Sequence, residues 1–408
     1  MGIQALLQKM NILFVNELPF NPVIGGLERV TDVLTKELVN RGHSIYYLCA
    51  KLPESCLYMF DYSFPVKLFQ LPKFGLFNDE ENIIFYKKLL ADLKIEVVVN
   101  QRGLGGAFNA LLQVTNTKTI SVIHSIPDYG LIPFQDIDKL LEHTAPPFAS
   151  LKKLIKKVFP SLMSHYWINK VTSELEFKYS ELAKHSNAIV TLSEGCADKL
   201  RHFINISQPS KIVTIPNPNT FSVVDISVYE KKKLVLYVGR LERDDKDPMR
   251  LVKVWEYLHG IFPDWQLRII GDGTEKGRMQ EYIKVRRIKN VSFEGHQSDV
   301  SQYYRDASFV CLTSNYEGWG MSLTEGMQYG CVPLTFNNYG AASVIIDDGI
   351  NGCLIPPYDL KQYAIRLSDL MSDGKMRRKI SMAAIEKVKK FSVKNVADQW
   401  EQLCRSLD

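Results

Sequence analysis

The chain has 408 residues, of which 46% are hydrophobic and 23% are charged. This is the composition of a folded globular protein with enough apolar surface for two cores. At roughly 150 residues per domain, the length favours two domains and excludes a single small binding module. The 50 Lys and Arg residues exceed the 45 Asp and Glu residues by a formal charge of only +5, which excludes a general nucleic-acid-binding surface.

The positions of the cysteine and histidine residues indicate the redox environment of the protein and argue against a metal site. The seven cysteines are scattered and never form a C-x-x-C pair, a pattern that favours free thiols in a reducing cytoplasm. No metal site is expected, because His and Cys residues do not recur at metal-binding spacing. The N-terminal segment does not resemble a signal peptide, and no window reaches the roughly 18 apolar residues of a membrane-spanning helix.

The first half of the chain alternates short apolar runs with amphipathic stretches. The spacing predicts a parallel sheet that is covered by helices on both faces. The predicted strands are Ile12–Val15, Ser44–Cys49, Ile95–Asn100, Thr119–Ile123, Ala188–Leu192 and Lys211–Ile215.

The pattern restarts after a Pro- and Asn-rich break at 215–220, so residues 216–232 are predicted to be a linker. The fold class is therefore α/β, with two doubly wound, Rossmann-like domains at 1–215 and 233–390 and a catalytic cleft between them. The first domain carries a helical insertion at about 130–185, and a helix at 391–408 is expected to return to it. The predicted strands of the second half are Leu234–Val238, Gln266–Ile270, Val291–Glu294, Phe309–Leu312, Val332–Thr335 and Cys353–Ile355.

Three glycine-rich turns follow predicted strands. Gly25 and Gly26 begin the first helix, where main-chain N–H groups favour a phosphate; a plain turn and helix start is the alternative. The turns at 103–108 and 271–273 lack the third glycine of a dinucleotide-binding loop, which disfavours a nicotinamide-dependent dehydrogenase.

Two cations follow the first strand of the second domain. Arg240 comes directly after Gly239, and Lys246 lies in the loop before the next helix. A guanidinium and an ammonium at the end of a parallel strand suit a diphosphate without a bound metal. Alternatively, both cations pair with their acidic neighbours, which are Glu242, Asp244, Asp245 and Asp247.

The segment Ser314–Glu325 carries two carboxylates, Glu317 and Glu325, eight residues apart. Along a helix this spacing spans roughly 12 Å, close to the distance from ribose to hexose in a nucleotide sugar. Carboxylates accept hydrogen bonds from vicinal hydroxyls, and Gly318 and Gly320 expose N–H groups to phosphate or sugar oxygens. The alternative is a capping carboxylate together with a buried glutamate.

The ordered motifs Gly-Gly-Leu-Glu-Arg at 25–29, Ile-His-Ser at 123–125, Val-Gly-Arg-Leu at 238–241 and Glu-Gly-Trp-Gly-Met-Ser-Leu-Thr-Glu at 317–325 resemble the retaining GT-B glycosyltransferases of family 4. The resemblance runs from Asn11 to about Lys390. It implies that Glu317 contacts the transferred sugar, Glu325 the ribose, and Arg240 and Lys246 the diphosphate. It further implies that His124 reaches the donor sugar and phosphate. The implied catalytic residues are His124, Arg240, Lys246 and Glu317; the implied donor-binding residues are Gly25, Gly26, Gly239, Gly318, Trp319, Gly320, Met321, Ser322 and Glu325.

The same resemblance implies transfer of a hexose-type sugar from a nucleotide diphosphate sugar, with uridine as the base. The acceptor would be a hydroxyl in surface polysaccharide, lipopolysaccharide or glycolipid synthesis. No cofactor or metal is expected. Arg240 and Lys246 are one residue further apart than in the commonest form of the family. A sugar-nucleotide epimerase or hydrolase of the same fold, and a non-catalytic nucleotide-sugar binding protein, are the alternatives.

Residues 148–172 hold five lysines, no arginine and no acidic residue. Leu151 lies on the apolar face of the predicted helix, and Lys152, Lys153, Lys156 and Lys157 lie on the opposite face. Such a helix suits a peripheral contact with an anionic membrane, here at the inner face beside a lipid-linked acceptor. A solvated helix that packs its apolar stripe on the domain is the alternative.

Overall fold

The chain, described from a computed structural model, folds around two parallel β-sheets flanked by helices. Side chains are described throughout these ranges except at 160–166. The described residues are 9–22, 25–51, 64–74, 78–103, 109–131, 160–204, 212–221 and 231–407.

The first sheet has seven strands in the order β3-β2-β1-β4-β5-β6-β7. Both of its faces are buried: Ile12 and Phe14 belong to one hydrophobic cluster, and Leu13 and Val15 belong to another. Burial on both faces explains why the first strand is a continuous apolar run instead of an alternating one. The strands are β1 Asn11–Asn16, β2 Ser44–Cys49, β3 Lys67–Gln70, β4 Val97–Asn100, β5 Lys118–Ile123, β6 Ala188–Thr191 and β7 Ile212–Thr214.

The second sheet has six strands in the order β10-β9-β8-β11-β12-β13. Its core is one large cluster that includes the fully buried Trp255, Trp265 and Phe309. The strands are β8 Lys232–Val238, β9 Gln266–Ile270, β10 Val291–Gly295, β11 Ala307–Cys311, β12 Val332–Phe336 and β13 Cys353–Ile355.

Helices connect the strands, and side-chain caps begin several of them. Ser193 accepts a hydrogen bond from the Cys196 amide, and Asp373 accepts from the amides of Lys375 and Met376, which satisfies N–H groups that have no partner inside the helix. The described α-helices are Gly26–Asn40, Glu80–Asp92, Asn109–Leu112, Pro160–Lys184, Glu194–Phe203, Met249–Leu258, Lys276–Arg286, Ser301–Asp306, Met321–Gln328, Ala342–Ile345, Leu360–Ser372, Gly374–Val388 and Val393–Ser406, with 3-10 turns at Tyr129–Leu131 and Lys389–Phe391.

The C-terminal helix, Val393–Ser406, packs against the first helix, Gly26–Asn40. Val396 and Trp400 are buried in a cluster that also contains the first strand. The Arg41 guanidinium ties the two helices together by donating to Asp398 at 2.6 Å and to Glu401 at 3.1 Å. The last helix therefore lies on the first sheet.

The predicted fold class is confirmed, since both sheets are parallel and alternate with helices. One strand, Lys67–Gln70, has no counterpart among the predicted strands. It lies at the edge of the first sheet and has no fully buried residue, so it lacks the continuous apolar run that marks the others. The boundary at 216–232 stays a proposal, because residues 222–230 lie outside the described ranges.

The strand order reverses between β1 and β4 in the first sheet and between β8 and β11 in the second. Ligands of doubly wound sheets bind in the crevice at the carboxyl ends of the strands at such a reversal. Gly25 follows β1 and Arg240 follows β8, so these two loops stand at the two expected crevices.

Candidate active site

Arg240 stands on a loop that the backbone fixes to the neighbouring strand. The Gly239 amide donates to the Ile270 carbonyl at 3.0 Å, and the Leu241 amide donates to the Asp272 carbonyl at 2.9 Å. The Arg240 side chain is 71% exposed and pairs with the Asp245 carboxylate, whose side chain is mostly buried. Arg240 therefore pairs with an acidic neighbour in the structure, which is one of the two interpretations of these cations that the sequence left open.

The loop that carries Lys246 is held against the loop after β11. The Asn315 amide donates to the Asp245 carbonyl at 2.8 Å, and the Thr313 hydroxyl donates to the Asp247 carbonyl at 3.0 Å. Lys246 Nζ consequently lies 2.6 Å from Glu317 Oε1, and not on an acidic neighbour in its own loop. Lys246 is thus in contact with the predicted sugar-binding carboxylate.

Glu317 lies in a loop, and the helix that follows begins only at Met321. The estimate of 12 Å from Glu317 to Glu325 assumed a continuous helix, so it does not apply. Gly320 separates the two parts with a φ of +96°, a left-handed conformation that glycine adopts at little cost. Glu317 is nearly buried, and its Oε1 also accepts the Ser314 hydroxyl at 2.8 Å.

Glu325 lies inside the helix Met321–Gln328 and is 3% exposed. Its carboxylate accepts hydrogen bonds from three separate segments of the chain. Oε1 accepts Arg29 Nη1 at 2.9 Å and the Thr220 hydroxyl at 2.8 Å. Oε2 accepts the Tyr304 hydroxyl at 3.0 Å.

The loop at Gly318 touches the first unit directly. A Cβ atom added to Gly318 would lie 1.8 Å from the His124 carbonyl oxygen and 2.8 Å from its carbonyl carbon. Only a glycine therefore fits at 318 in this arrangement. Gly26, at the start of the first helix, likewise lies against Met321: a Cβ there would be 3.4 Å from Met321 Cγ.

His124 follows β5 at the carboxyl edge of the first sheet. Its Nε2 hydrogen-bonds to Gln101 Oε1. Burial lowers the pKa of His124 to about 4, because desolvation disfavours the charged imidazolium. At neutral pH the ring is uncharged, so it can act toward a ligand as a hydrogen-bonding group and not as a cation.

The Trp319 side chain is 2% exposed and packs edge-on against Phe391 with the ring centroids 5.1 Å apart. The indole is therefore part of the core of the second unit. The donor-binding role of Trp319 stays a prediction. Ser322 is half-buried in the first turn of the helix, next to Met321.

The structure brings the predicted residues together in two groups that meet across the cleft. The second unit contributes Gly239, Arg240, Lys246, Glu317, Gly318, Gly320, Met321, Ser322 and Glu325, and the first contributes Gly25, Gly26 and His124. Several hydrogen-bond partners of these residues were not predicted from the sequence, although Arg29 belongs to the Gly-Gly-Leu-Glu-Arg motif. The missed partners are Arg29, Gln101, Thr220, Tyr304 and Ser314.

Other expectations concern metals, thiols and membranes. Within the described ranges, no group of three or more His, Cys, Asp or Glu side chains is placed to hold a metal ion. Six cysteines are free and buried, while Cys56 lies outside those ranges. None of the helices described is both long and apolar enough to cross a membrane. The predicted membrane-contact residues Leu151, Lys152, Lys153, Lys156 and Lys157 lie outside the described residues.

Two family models match the chain. Residues 24–218 match "Glycosyltransferase Family 4", and residues 221–387 match "Glycosyl transferases group 1". The amylovoran biosynthesis glycosyltransferase AmsD of Erwinia amylovora is 26% identical over 201 residues, covering 49% of this chain and 56% of that protein. The lipopolysaccharide 1,6-galactosyltransferase of Salmonella typhimurium is 26% identical over 200 residues, covering 48% and 55%. The chain thus spans about half the length of these curated relatives.

Solved structures show the same fold at low sequence identity. Anabaena HepE in complex with UDP and glucose has a TM-score of 0.72 at 16% identity, covering 98% of this chain and 100% of that one. Sucrose-phosphate synthase from Thermosynechococcus elongatus has a TM-score of 0.74 at 18% identity, covering 98% and 99%. With both halves matched by family models and the whole chain matched in fold, the chain belongs to glycosyltransferase family 4, the glycosyl transferases group 1, and has the GT-B fold.

Proposed function

We propose that this chain is a retaining glycosyltransferase that moves a hexose-type sugar from a UDP-sugar to an acceptor hydroxyl. The observation that carries the proposal is the pair of loops after β8 and β11, in which Lys246 contacts Glu317 and Gly318 touches the His124 carbonyl of the first unit. Arg240 lies in the first of these loops, and Glu325 lies in the helix that follows the second. Cations suit a diphosphate, and carboxylates suit the hydroxyls of a ribose and a hexose.

The relatives support the choice of donor and acceptor class. Anabaena HepE was solved with UDP and glucose. Two curated relatives carry names that refer to amylovoran biosynthesis and to lipopolysaccharide. We therefore assign uridine as the base, and surface polysaccharide, lipopolysaccharide or glycolipid synthesis as the setting of the acceptor.

In the proposed reaction, the bond between the sugar C1 and the diphosphate oxygen breaks. The acceptor oxygen bonds to C1 on the same face, and its proton passes to the leaving diphosphate. Negative charge develops on that diphosphate, so preorganised cations beside it lower the barrier. Arg240 and Lys246 are assigned this role, and both must exchange their present carboxylate partners, Asp245 and Glu317, for the donor.

A thermal-shift panel of UDP-, GDP-, ADP- and dTDP-sugars tests the donor assignment. A ligand that binds the native state raises the melting temperature with its concentration relative to Kd, and the largest shift is expected with a UDP-sugar. No shift with any of the four donors would refute a nucleotide-sugar site.

Acceptor dependence then separates the alternatives. A transferase consumes donor in step with acceptor. An epimerase or hydrolase consumes donor when no acceptor is present, and a non-catalytic binding protein shows the thermal shift without turnover across an acceptor panel.

The proposal extends to the location of the enzyme. We place it in the cytoplasm, docked on the inner face of the membrane by the basic segment 148–172 beside a lipid-linked acceptor; the support is the sequence pattern of that segment. Flotation with vesicles that contain anionic lipid is expected to lose the protein when Lys152, Lys153, Lys156 and Lys157 become Gln. Unchanged flotation of that variant would refute the docking role.

A further inference from the structure

The carboxylate of Glu325 is completed by a residue from the opposite side of the cleft. Glu325 lies in a helix of the second unit, whereas Arg29 lies in the first turns of the first helix. Arg29 Nη1 is 2.9 Å from Glu325 Oε1, and the two side chains are 30% and 4% exposed. This ion pair therefore spans the two units at the proposed ribose-binding group.

Three hydrogen bonds from the described part of the chain reach that carboxylate. Oε1 accepts from both Arg29 and Thr220, and Oε2 accepts from Tyr304. Burial raises the pKa of Tyr304 well above its ordinary value, so the phenol stays protonated and donates. A carboxylate has about four acceptor positions, so the three hydrogen bonds from the described residues leave one position, on Oε2, which suits a ribose hydroxyl.

Charge compensation also comes from Arg29. Thr220 and Tyr304 are neutral donors, so Arg29 is the cation in contact with this nearly buried carboxylate among the described residues. A buried carboxylate without a charged partner is poorly stabilised as an anion. Removing the guanidinium should leave Glu325 a weaker and less well oriented acceptor.

The backbone links Arg29 to the predicted diphosphate turn. The Arg29 amide donates to the Gly25 carbonyl at 3.1 Å, and Gly26 lies between them at the start of the same helix. The guanidinium is thus carried by the helical turn whose N–H groups are proposed to face the diphosphate. One rigid element of the first unit therefore reaches both the diphosphate turn and the ribose carboxylate.

We propose that Arg29 is a positioning residue for the donor: it holds the Glu325 carboxylate in the orientation that recognises the ribose hydroxyls. Recognition of the nucleoside by the second unit then depends on closure of the first unit over it. This inference rests on the proposed function, because it assumes that Glu325 binds a nucleotide ribose.

Calorimetric titration with UDP and with 2′,3′-dideoxy-UDP, which lacks both ribose hydroxyls, tests the role. The parent protein is expected to bind UDP more tightly than the dideoxy analogue. Arg29→Gln should weaken UDP binding at least about tenfold and analogue binding less than about twofold, because only the hydroxyl contacts are lost. Arg29→Lys, which keeps the charge but not the fork geometry, should recover part of the UDP affinity.

Arg41→Gln is the matched control. Arg41 directly follows the same helix and also makes ion pairs, here with Asp398 and Glu401 of the C-terminal helix. The Arg41→Gln variant should have a lower melting temperature but the same preference for UDP over its dideoxy analogue. The donor KM should rise for Arg29→Gln, with a smaller change in kcat, and stay unchanged for Arg41→Gln.

Four results would overturn the inference. Equal weakening of both nucleotides by Arg29→Gln would mean that Arg29 acts on the fold or on the diphosphate. Tighter UDP binding in Arg29→Gln would mean that Arg29 competes with the ribose. A parent protein that binds neither nucleotide would overturn the proposed donor as well. If the parent prefers UDP to its dideoxy analogue and Arg29→Gln keeps the same preference, this inference alone is overturned.

Discussion

Gly318→Ala is predicted to hold the two units apart without unfolding either of them. The new Cβ would lie 1.8 Å from the His124 carbonyl oxygen and 3.3 Å from Ser125 Cα. Both neighbours belong to the backbone, so no side-chain rotation relieves the clash. To restore an ordinary contact the two loops must separate by at least about 1.5 Å, and a misplacement of about 1 Å can already cost about 100-fold in rate.

We therefore expect kcat/KM to fall about 100-fold, equivalent to about 2.7 kcal/mol of transition-state stabilisation. The melting temperature should change little, because the clash lies between the units and not within either core. Donor-saturation kinetics and thermal unfolding measure the two effects separately. The matched control is Gly277→Ala, which introduces a Cβ with no atom within 4 Å at a helical position where alanine is favoured by up to about 1 kcal/mol. A Gly318→Ala enzyme that keeps kcat/KM within about threefold of the parent would show that activity does not depend on this close contact.

Three further predictions follow from the site. Arg240→Ala should lose about 2.7 to 4 kcal/mol of transition-state stabilisation and be nearly inactive, while Asp244→Ala, at an exposed neighbour, should retain kcat; an Arg240→Ala enzyme with unchanged kcat would contradict the assignment. Because burial lowers the pKa of His124 to about 4, the unfolded chain takes up a proton between about pH 6.5 and 4 that the folded chain does not. His124 should therefore contribute a loss of folding stability over that range, and urea unfolding at pH 7 and pH 5 should show a smaller loss for His124→Asn; equal losses would rule this histidine out. Chelator should leave turnover unchanged, since Arg240 and Lys246 are proposed to hold the diphosphate; abolition by chelator with recovery on adding Mg²⁺ or Mn²⁺ would exclude metal-independent catalysis.

The fold followed closely from the hydrophobic pattern. Strands such as Val97–Asn100 and Val332–Phe336 are buried along their whole length, and such strands appear as short apolar runs between helices. The edge strand Lys67–Gln70 was not predicted because its first and last residues are polar and exposed, which leaves only two apolar residues between them.

The sequence predicted which residues belong to the candidate site, but it did not predict the contacts that these residues make. Motif positions placed Arg240, Lys246, Glu317 and Glu325 at the carboxyl ends of strands in one sheet. They left open whether the two cations pair with acidic residues of their own loop. In the structure Arg240 pairs with Asp245 of that loop, whereas Lys246 pairs with Glu317 of another loop. The side chain of Trp319, inside the most specific motif, is buried in the core of the second unit, which the motif alone did not predict.

Local periodicity and residues close in the chain specify the two α/β units, the loops that carry the candidate site and the chemical types of the side chains on those loops. The contacts of Arg29 with Glu325 and of Gly318 with the His124 carbonyl arise only when the chain folds. Those contacts join residues that are nearly 300 and nearly 200 positions apart, and no local pattern specifies the angle at which two independently folded cores close on each other. That angle sets the geometry of the cleft, and the nucleotide is proposed to bind in the cleft.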